Sequence, residues 1–203
     1  MLERPLLTRL REQARRRGLL DVRSSLSAST VFVLVRDMLY QRASSRHPEV
    51  ILREWKGTCS GKHYTLKALF DELGLETQLM LCTHEFTYES YSHFPQFLRD
   101  QLTDSPIPDV HTFLRLKTAT GWMNIDATWP SSTKSLGMPV NEKFELGQSM
   151  RLACEPIQFF EVSSEIDPQV FKEELIRKHC GAQAQRRDRF IEALSAWLSE
   201  SQK

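Results

Sequence analysis

The stretch "REWKGTCSGKHYTLKALFDELG", residues 53–74, sets one cysteine directly before a run of residues with helical periodicity. From Cys59 onward, apolar side chains recur at the spacing of one helical face, and Gly74 stands where a helix C-terminus favours a positive φ. The apolar members of that face are Leu66, Leu69, Phe70 and Leu73. The pattern predicts a buried core helix with Cys59 in its first turn, on or near the side that faces the core.

Further helices are predicted on both sides of this stretch. Residues 29–41, "STVFVLVRDMLYQ", contain β-branched side chains, but their apolar positions follow the helical period, and Ser29 or Thr30 can cap the start. Another helix begins at Pro48, because proline suits a first helical turn. Near the end of the chain, Gly181 separates two amphipathic patterns. The additional helices are predicted over 48–55, 95–102, 169–180 and 183–199.

Strand patterns fill the middle of the chain. Residues 75–82, "LETQLMLC", alternate in polarity, and residues 156–162, "PIQFFEV", read as a second strand. Residues 109–130 contain a β-hairpin pattern, with "VHTFLRLK", a turn around "TATG", and "WMNIDATW". The chain is therefore predicted to be an α+β protein in which the cysteine-bearing helix packs on an antiparallel sheet and helices follow at the C-terminus.

The composition is that of a globular protein. The chain has 203 residues, 40% apolar and 26% charged, with a net charge of +1, which argues against a binder of nucleic acid or other polyanions. Basic runs at 9–18 and 185–189 read as solvated helix faces. The sequence has no run of about 18 apolar residues, which a membrane span would need, and its charged start lacks the apolar core of a secretory signal. We therefore expect a cytoplasmic location. We expect one domain over residues 1–203, with its core at about 30–165 and C-terminal helices at about 168–200.

The cysteines do not form a recognisable metal or disulfide pattern. There are four of them, at positions 59, 82, 154 and 180, and no two form a CxxC pair. We interpret Cys82, Cys154 and Cys180 as small buried hydrophobes. Cys59 differs from them because it stands at the start of a helix, where oriented amide dipoles lower the pKa of a thiol.

The hairpin brings a histidine and an aspartate together. If its loop spans Lys117 to Thr120, His111 lies directly opposite Asp126 on the neighbouring strand. Residues paired in this way project to the same side of a sheet, with Cβ atoms about 5 Å apart, so the imidazole and the carboxylate can form a hydrogen bond. A register slip of one residue would place them on opposite faces.

Cys59, His111 and Asp126 supply the three parts of a cysteine nucleophile site. A thiolate attacks, a histidine stabilises that thiolate and protonates the leaving group, and a carboxylate fixes the tautomer and orientation of the histidine. The backbone N–H of Cys59, at the start of its helix, is a candidate oxyanion donor. A second donor is not assigned; Trp55 and Thr58 lie near in sequence.

The order and spacing of these residues resemble the transglutaminase-like superfamily, a branch of the papain-like cysteine enzymes, and suit its small microbial members. The matching segments are Gly57-Thr58-Cys59, His111-Thr112-Phe113 and the sequence "GWMNIDATW" that contains Asp126, within residues 30–130. The resemblance implies a papain/transglutaminase-like core. It also implies a cysteine hydrolase or acyltransferase, a protease or amidase included, that acts on an amide, peptide or isopeptide bond through a thioester, without a cofactor or a metal. Two departures are His63, where the family commonly has a small residue, and Ala127, where a proline usually follows the aspartate.

The substrate side of the predicted site is aromatic. The segment 83–109 is long for a connection and rich in aromatic side chains, which is typical of a binding loop or lid. The candidate substrate contacts are His63, His84, Tyr88, Tyr91 and Trp129. The partner implied is a protein, a peptide or a small amide.

Two other interpretations remain open. A binding module that keeps the fold without the activity could dock a partner through residues 83–109 or through the basic helices. The other interpretation is a zinc site, because Cys59 and His63 are four residues apart on one helical face. His111 and Asp126, or His84, would then complete a set of four ligands.

Overall fold

The computed structural model describes residues 4–200 and is built around the helix that begins at the quoted cysteine. Within these residues there are seven α-helices and four β-strands. The helices are α1 (Pro5–Arg16), α2 (Ala28–Arg36), α3 (Pro48–Glu54), α4 (Cys59–Glu72), α5 (Gln96–Arg99), α6 (Pro168–Cys180) and α7 (Ala184–Glu200). The strands are β1 (Thr77–Phe86), β2 (Ile107–Thr118), β3 (Gly121–Ile125) and β4 (Gln158–Glu161). Short 3₁₀ turns cover Asp100–Leu102, Ser131–Leu136 and Gly181–Gln183.

The strands form one antiparallel sheet in the order β3-β2-β1-β4. The two central strands pair along their length, from Thr77 opposite Leu116 to Phe86 opposite Ile107. Helix α4 packs on these strands, and its apolar face is buried in a common core with theirs. The predicted α+β class, with the cysteine-bearing helix on an antiparallel sheet, is confirmed.

Most helix predictions hold to within one or two residues at each end, but the helix expected over 29–41 ends at Arg36. Helix α4 begins at Cys59, and Gly74, just after its end, has a φ of 78°. Helix α2 is capped by Ser27, whose Oγ accepts a hydrogen bond from the Thr30 N–H at 3.2 Å, and not by Ser29 or Thr30. The helix expected over 95–102 is present as the short α5 and the 3₁₀ turn that follows it.

The predicted hairpin register is wrong by two residues. The loop has only two residues, so that Thr118 pairs with Gly121 and Leu114 with Ile125. Gly121 adopts a φ of 126°, which other residues rarely adopt. A shift of two keeps every side chain on its face, because the side-chain period of a strand is two. His111 and Asp126 therefore still project to one side, diagonal to each other instead of directly opposite.

The long connection between β1 and β2 is packed under the C-terminal helix. It is shorter than expected, because β1 extends to Phe86 and β2 begins at Ile107. Aromatic and aliphatic side chains of this segment form a second apolar cluster with α7; its members include Tyr91, Phe94, Leu98, Leu102, Phe190, Ile191, Leu194 and Leu198. Much of the segment expected to be a binding loop thus serves as a packing surface. No helix within residues 4–200 is long and apolar enough to cross a membrane.

Candidate active site

The nucleophile candidate stands at the mouth of α4, in the wall of a cleft of about 530 Å³. Helix α3 ends at Glu54, Trp55 directly after it adopts the left-handed conformation, and the chain continues through Gly57 into α4. A Cβ on Gly57 would meet the Lys62 backbone nitrogen at 3.3 Å, and one on Gly61 would lie 2.6 Å from Ile51 Cδ1. Glycine on either side of Cys59 therefore lets α3 lie close against α4.

His111 and Asp126 form a buried pair. His111 Nε2 lies 2.8 Å from Asp126 Oδ2, and both side chains are almost inaccessible to solvent. The carboxylate also accepts hydrogen bonds from the Thr128 N–H at 3.0 Å and from the Ala153 N–H at 2.8 Å. Burial alone would raise the pKa of Asp126, but the charge of His111 and these hydrogen bonds hold it well below its usual range.

Cys59 completes the arrangement. Because Nε2 of His111 faces Asp126, its Nδ1 is the ring nitrogen left to interact with the Cys59 thiol. Burial acts to raise the pKa of Cys59, yet the charge of Lys172 and the hydrogen bond to His111 outweigh it and lower the pKa to about 5. Burial acts to lower the pKa of His111, but Asp126 and Cys59 raise it well above its ordinary value. The two shifts act in the same direction, because each favours a thiolate on Cys59 beside an imidazolium on His111.

His63 forms hydrogen bonds with two segments of the site but does not face the cleft. Its Nε2 accepts a hydrogen bond from the Ala127 N–H at 2.9 Å, so the ring proton is on Nδ1, which donates to the Cys59 carbonyl at 2.7 Å. Burial lowers the pKa of His63 to about 4, so the ring is neutral. His63 does not line the cleft; it links the first turn of α4 to the segment that carries Asp126.

Lys172 is the site residue that sequence reasoning missed. It lies on α6, is 2% exposed, and its Nζ is 3.4 Å from Cys59 Sγ. The same ammonium donates to Ser60 Oγ at 2.7 Å and to Thr112 Oγ1 at 3.0 Å. A signal was present in the sequence, because Lys172 is three residues before the buried Leu175, where the helical period favours an apolar side chain.

A second buried ion pair lines the same cleft. Arg187 on α7 donates from Nε to Asp109 Oδ1 at 2.7 Å, and both residues border the cleft. Burial would raise the pKa of Asp109, but Arg187 and a contact with His84 lower it far below its usual value. His84 itself is buried behind Asp109, with Nε2 3.5 Å from Asp109 Oδ2.

The remaining predicted substrate contacts lie away from the walls of this cleft. Tyr88 carries the Arg99 guanidinium 4.1 Å above its ring, and Tyr91 borders a separate cavity of about 370 Å³. Trp129 packs against Tyr40 with ring centroids 4.6 Å apart, and it is Tyr40 that reaches the cleft. Of the two residues near the oxyanion position, Thr58 lines the cleft, whereas Trp55 packs in the core.

The other three cysteines lie outside the cleft, and the zinc site considered from the sequence can be checked against the structure. Cys82 and Cys154 are buried free thiols with sulfur atoms 3.8 Å apart, and Cys180 donates to the Pro108 carbonyl at 3.3 Å. Across residues 4–200, no three histidine, cysteine, aspartate or glutamate side chains are arranged to hold a metal ion. The zinc ligand set considered from the sequence is thus not assembled.

No protein-family model matches the chain, and no curated protein is significantly similar to it. What the site can do therefore follows from its own contacts. A thiolate at a helix N-terminus, an imidazolium beside it and a carboxylate behind the imidazolium can carry out nucleophilic attack and proton transfer in sequence.

Proposed function

We propose that the protein is a transglutaminase-like cysteine hydrolase or acyltransferase that acts on an amide, peptide or isopeptide bond through a thioester on Cys59. The observation that carries the proposal is the buried pair of His111 and Asp126, 2.8 Å apart, whose imidazole acts on the Cys59 thiol and helps to lower its pKa. Structural cysteines do not need a buried histidine and carboxylate aligned behind them. The order of the three residues along the chain and their placement on a helix start and a hairpin support a papain-like core.

The proposed reaction has two stages. Cys59 Sγ attacks the carbonyl carbon, and the His111 imidazolium gives its proton to the leaving nitrogen as the carbon–nitrogen bond breaks. The thioester is then attacked by water or an amine, from which neutral His111 removes a proton, and Cys59 leaves as the thiolate. Asp126 keeps the imidazole in the required tautomer in both stages.

The substrate is a protein, a peptide or a small amide that reaches Cys59 through the cleft. A volume of about 530 Å³ is within the range of small-molecule sites and can hold a side chain with its flanking backbone. The four cysteines are free thiols, which is typical of a reducing compartment and supports the cytoplasmic location that we propose.

The test needs no knowledge of the substrate. We expect iodoacetamide to alkylate Cys59 with a rate that rises through a midpoint near pH 5, because the pKa of this thiol is lowered to about 5. The rate is measured from pH 4 to 9 by mass spectrometry of the peptide that carries Cys59, with the buried Cys180 as internal control. A midpoint near the free-cysteine value of about 8.5, in a protein with an intact fold, would refute the proposal and favour a binding module.

A further inference from the structure

We propose that Lys172 is a catalytic residue, which holds the Cys59 sulfur as a thiolate and then supplies the second hydrogen bond to the oxyanion. The inference rests on the proposed function, because it assigns the oxyanion donor that the sequence left unassigned. It also makes α6, which lies outside the part of the chain that carries the sequence resemblance, a component of the active site.

The position of the ammonium group is fixed by three contacts. Lys172 Nζ lies 2.7 Å from Ser60 Oγ, 3.0 Å from Thr112 Oγ1 and 3.4 Å from Cys59 Sγ. An ammonium has three N–H donors, so each has one partner. Two of these partners are hydroxyl groups that do not take part in the reaction. They anchor the group, while the third donor points at the reacting sulfur.

The charge balance of the cleft indicates what the third contact is for. The other cations in its wall are paired with carboxylates: Arg42 with Asp188, Arg46 with Glu173, and Arg187 with Asp109. Among the described residues, Lys172 forms no ion pair with a carboxylate; its contacts are two hydroxyls and a sulfur. Burying an ammonium that has no carboxylate partner is costly, and an anion in contact with it reduces that cost. The anion in contact with it is the Cys59 thiolate.

The same contact serves the next step of the reaction. When Sγ bonds to the carbonyl carbon, the carbonyl π electrons move to oxygen, and the negative charge leaves the sulfur for an atom two bonds away. The Lys172 N–H that bound the thiolate can then bind this oxyanion, beside the backbone N–H of Cys59. When the electrons return and the carbon–nitrogen bond breaks, the nitrogen takes its proton from His111. Lys172 transfers no proton in either step, so its role is electrostatic.

The first experiment measures the thiol without any substrate. The titratable groups that act on Cys59 are His111 and Asp109 from β2, Tyr40 from the segment before α3, Lys62 and Tyr64 from α4, Cys82 from β1, and Lys172 from α6. We expect Lys172→Met to move the midpoint of Cys59 alkylation upward by about one pH unit or more, because it removes the cation that lies 3.4 Å from the sulfur. Lys172→Arg should retain most of the effect. Lys178→Met, on the exposed side of the same helix, is the matched control and should leave the midpoint unchanged.

The second experiment measures acylation. With p-nitrophenyl acetate as the acyl donor, at a pH where Cys59 is a thiolate in every variant, we expect Lys172→Met to lower the rate of the p-nitrophenol burst by about 10²-fold, as the loss of one oxyanion donor does elsewhere. Thr112→Val, which keeps the charge but loosens one anchor of the ammonium, should give a smaller loss. It also serves as the test if Lys172→Met does not fold.

The outcomes separate this inference from the proposed function. If wild-type Cys59 is alkylated only as an ordinary thiol and gives no burst, the proposed function fails and this inference with it. If the wild-type thiol is reactive but Lys172→Met has the same midpoint and burst rate, only the role of Lys172 is refuted. A shifted midpoint with an unchanged burst rate would overturn the oxyanion assignment and leave Lys172 as a positioning residue for the thiolate.

Discussion

At the scale of the single residue, His63 shows how a side chain can matter for the site without facing it. In the sequence, His63 is a large side chain four residues after the nucleophile, at a position where the family commonly has a small one. In the structure both of its ring nitrogens are used, one by the Ala127 N–H and the other by the Cys59 carbonyl. Those bonds connect the turn that carries the nucleophile to the segment that carries Asp126. The side chain does this only as a neutral ring, since protonation would put a second N–H against a backbone N–H.

We expect His63→Gln to reveal this neutral state through the pH dependence of stability. The folded-state pKa of about 4 is below the value of about 6.5 in an unfolded chain, so the unfolded state binds more protons between these pH values. The contribution of His63 to stability is therefore fully present above about pH 6.5 and is lost as pH falls toward 4. At pH 7 the variant should be about 1–3 kcal/mol less stable, because a buried hydrogen bond is lost, and this deficit should shrink as the pH falls.

The measurement is urea denaturation of both proteins at intervals from pH 4 to 7.5. His47→Gln, at an exposed histidine, is the control. A deficit that stays constant across the range would show that His63 is not held neutral by burial.

At the scale of the element, the start of α4 could be predicted and its surroundings only in part. Periodicity located the helix, its cysteine and the hairpin, because these signals lie within a few residues of one another. The register was wrong because the two-residue loop at 119–120 carries no Asn-Gly or Asp-Gly signature that would have marked it. His111 and Asp126 still met, since only an odd shift would have separated them. Lys172 was missed because its partners on α4 and β2 lie 60 or more residues away in the chain.

The contact between α3 and α4 can be tested by a double-mutant cycle. A Cβ at Gly61 would lie 2.6 Å from Ile51 Cδ1, and Ile51 is buried, so we expect Gly61→Ala to destabilise the protein by about 1–3 kcal/mol through overpacking, less the gain of about 1 kcal/mol in helix propensity. Ile51→Val removes that methyl group and alone should cost about 0.5–1.5 kcal/mol. In the double variant the two changes compensate, and the cost should fall below the sum of the single costs by about 1 kcal/mol.

Chemical denaturation of the four proteins gives the coupling free energy. Strictly additive costs would mean that α3 and α4 are not in close contact at this point. The pH midpoint of Cys59 alkylation, measured in the same variants, shows whether a displacement of α3 also changes the pKa of the thiol.

At the scale of the whole molecule, the two C-terminal helices complete the cleft that the core begins. Helix α6 supplies Lys172 and helix α7 supplies Arg187, each to a partner on α4 or β2. The net charge of +1 could not predict this arrangement, because it is the sum of all charges and does not show which charged side chains are buried together. Amphipathic periodicity predicted both helices, and the spacing of Lys172 to Leu175 was a signal that this lysine points inward, but no local pattern indicates which distant residues the inward charges meet. The chemistry of the site thus depends on how distant segments dock, and that is the part of the site that sequence reasoning did not reach.

The docking of α7 should therefore depend on the pair Arg187–Asp109. We expect Arg187→Met to destabilise the protein by about 3–5 kcal/mol at pH 7, because it leaves a buried carboxylate without its partner. Asp109→Asn in the same chain should restore most of that loss of stability, since neither charge of the pair then remains, while Arg189→Met on the exposed side of α7 is the control.

The pKa of Asp109 in the wild type is lowered far below its usual value, so the stability that it contributes is present above about pH 4 and declines as the pH falls below that. The deficit of Arg187→Met should accordingly narrow in acid. A single variant as stable as the wild type at pH 7 would mean that α7 docks through its apolar face alone, and that the ion pair in the cleft wall is free to serve the substrate.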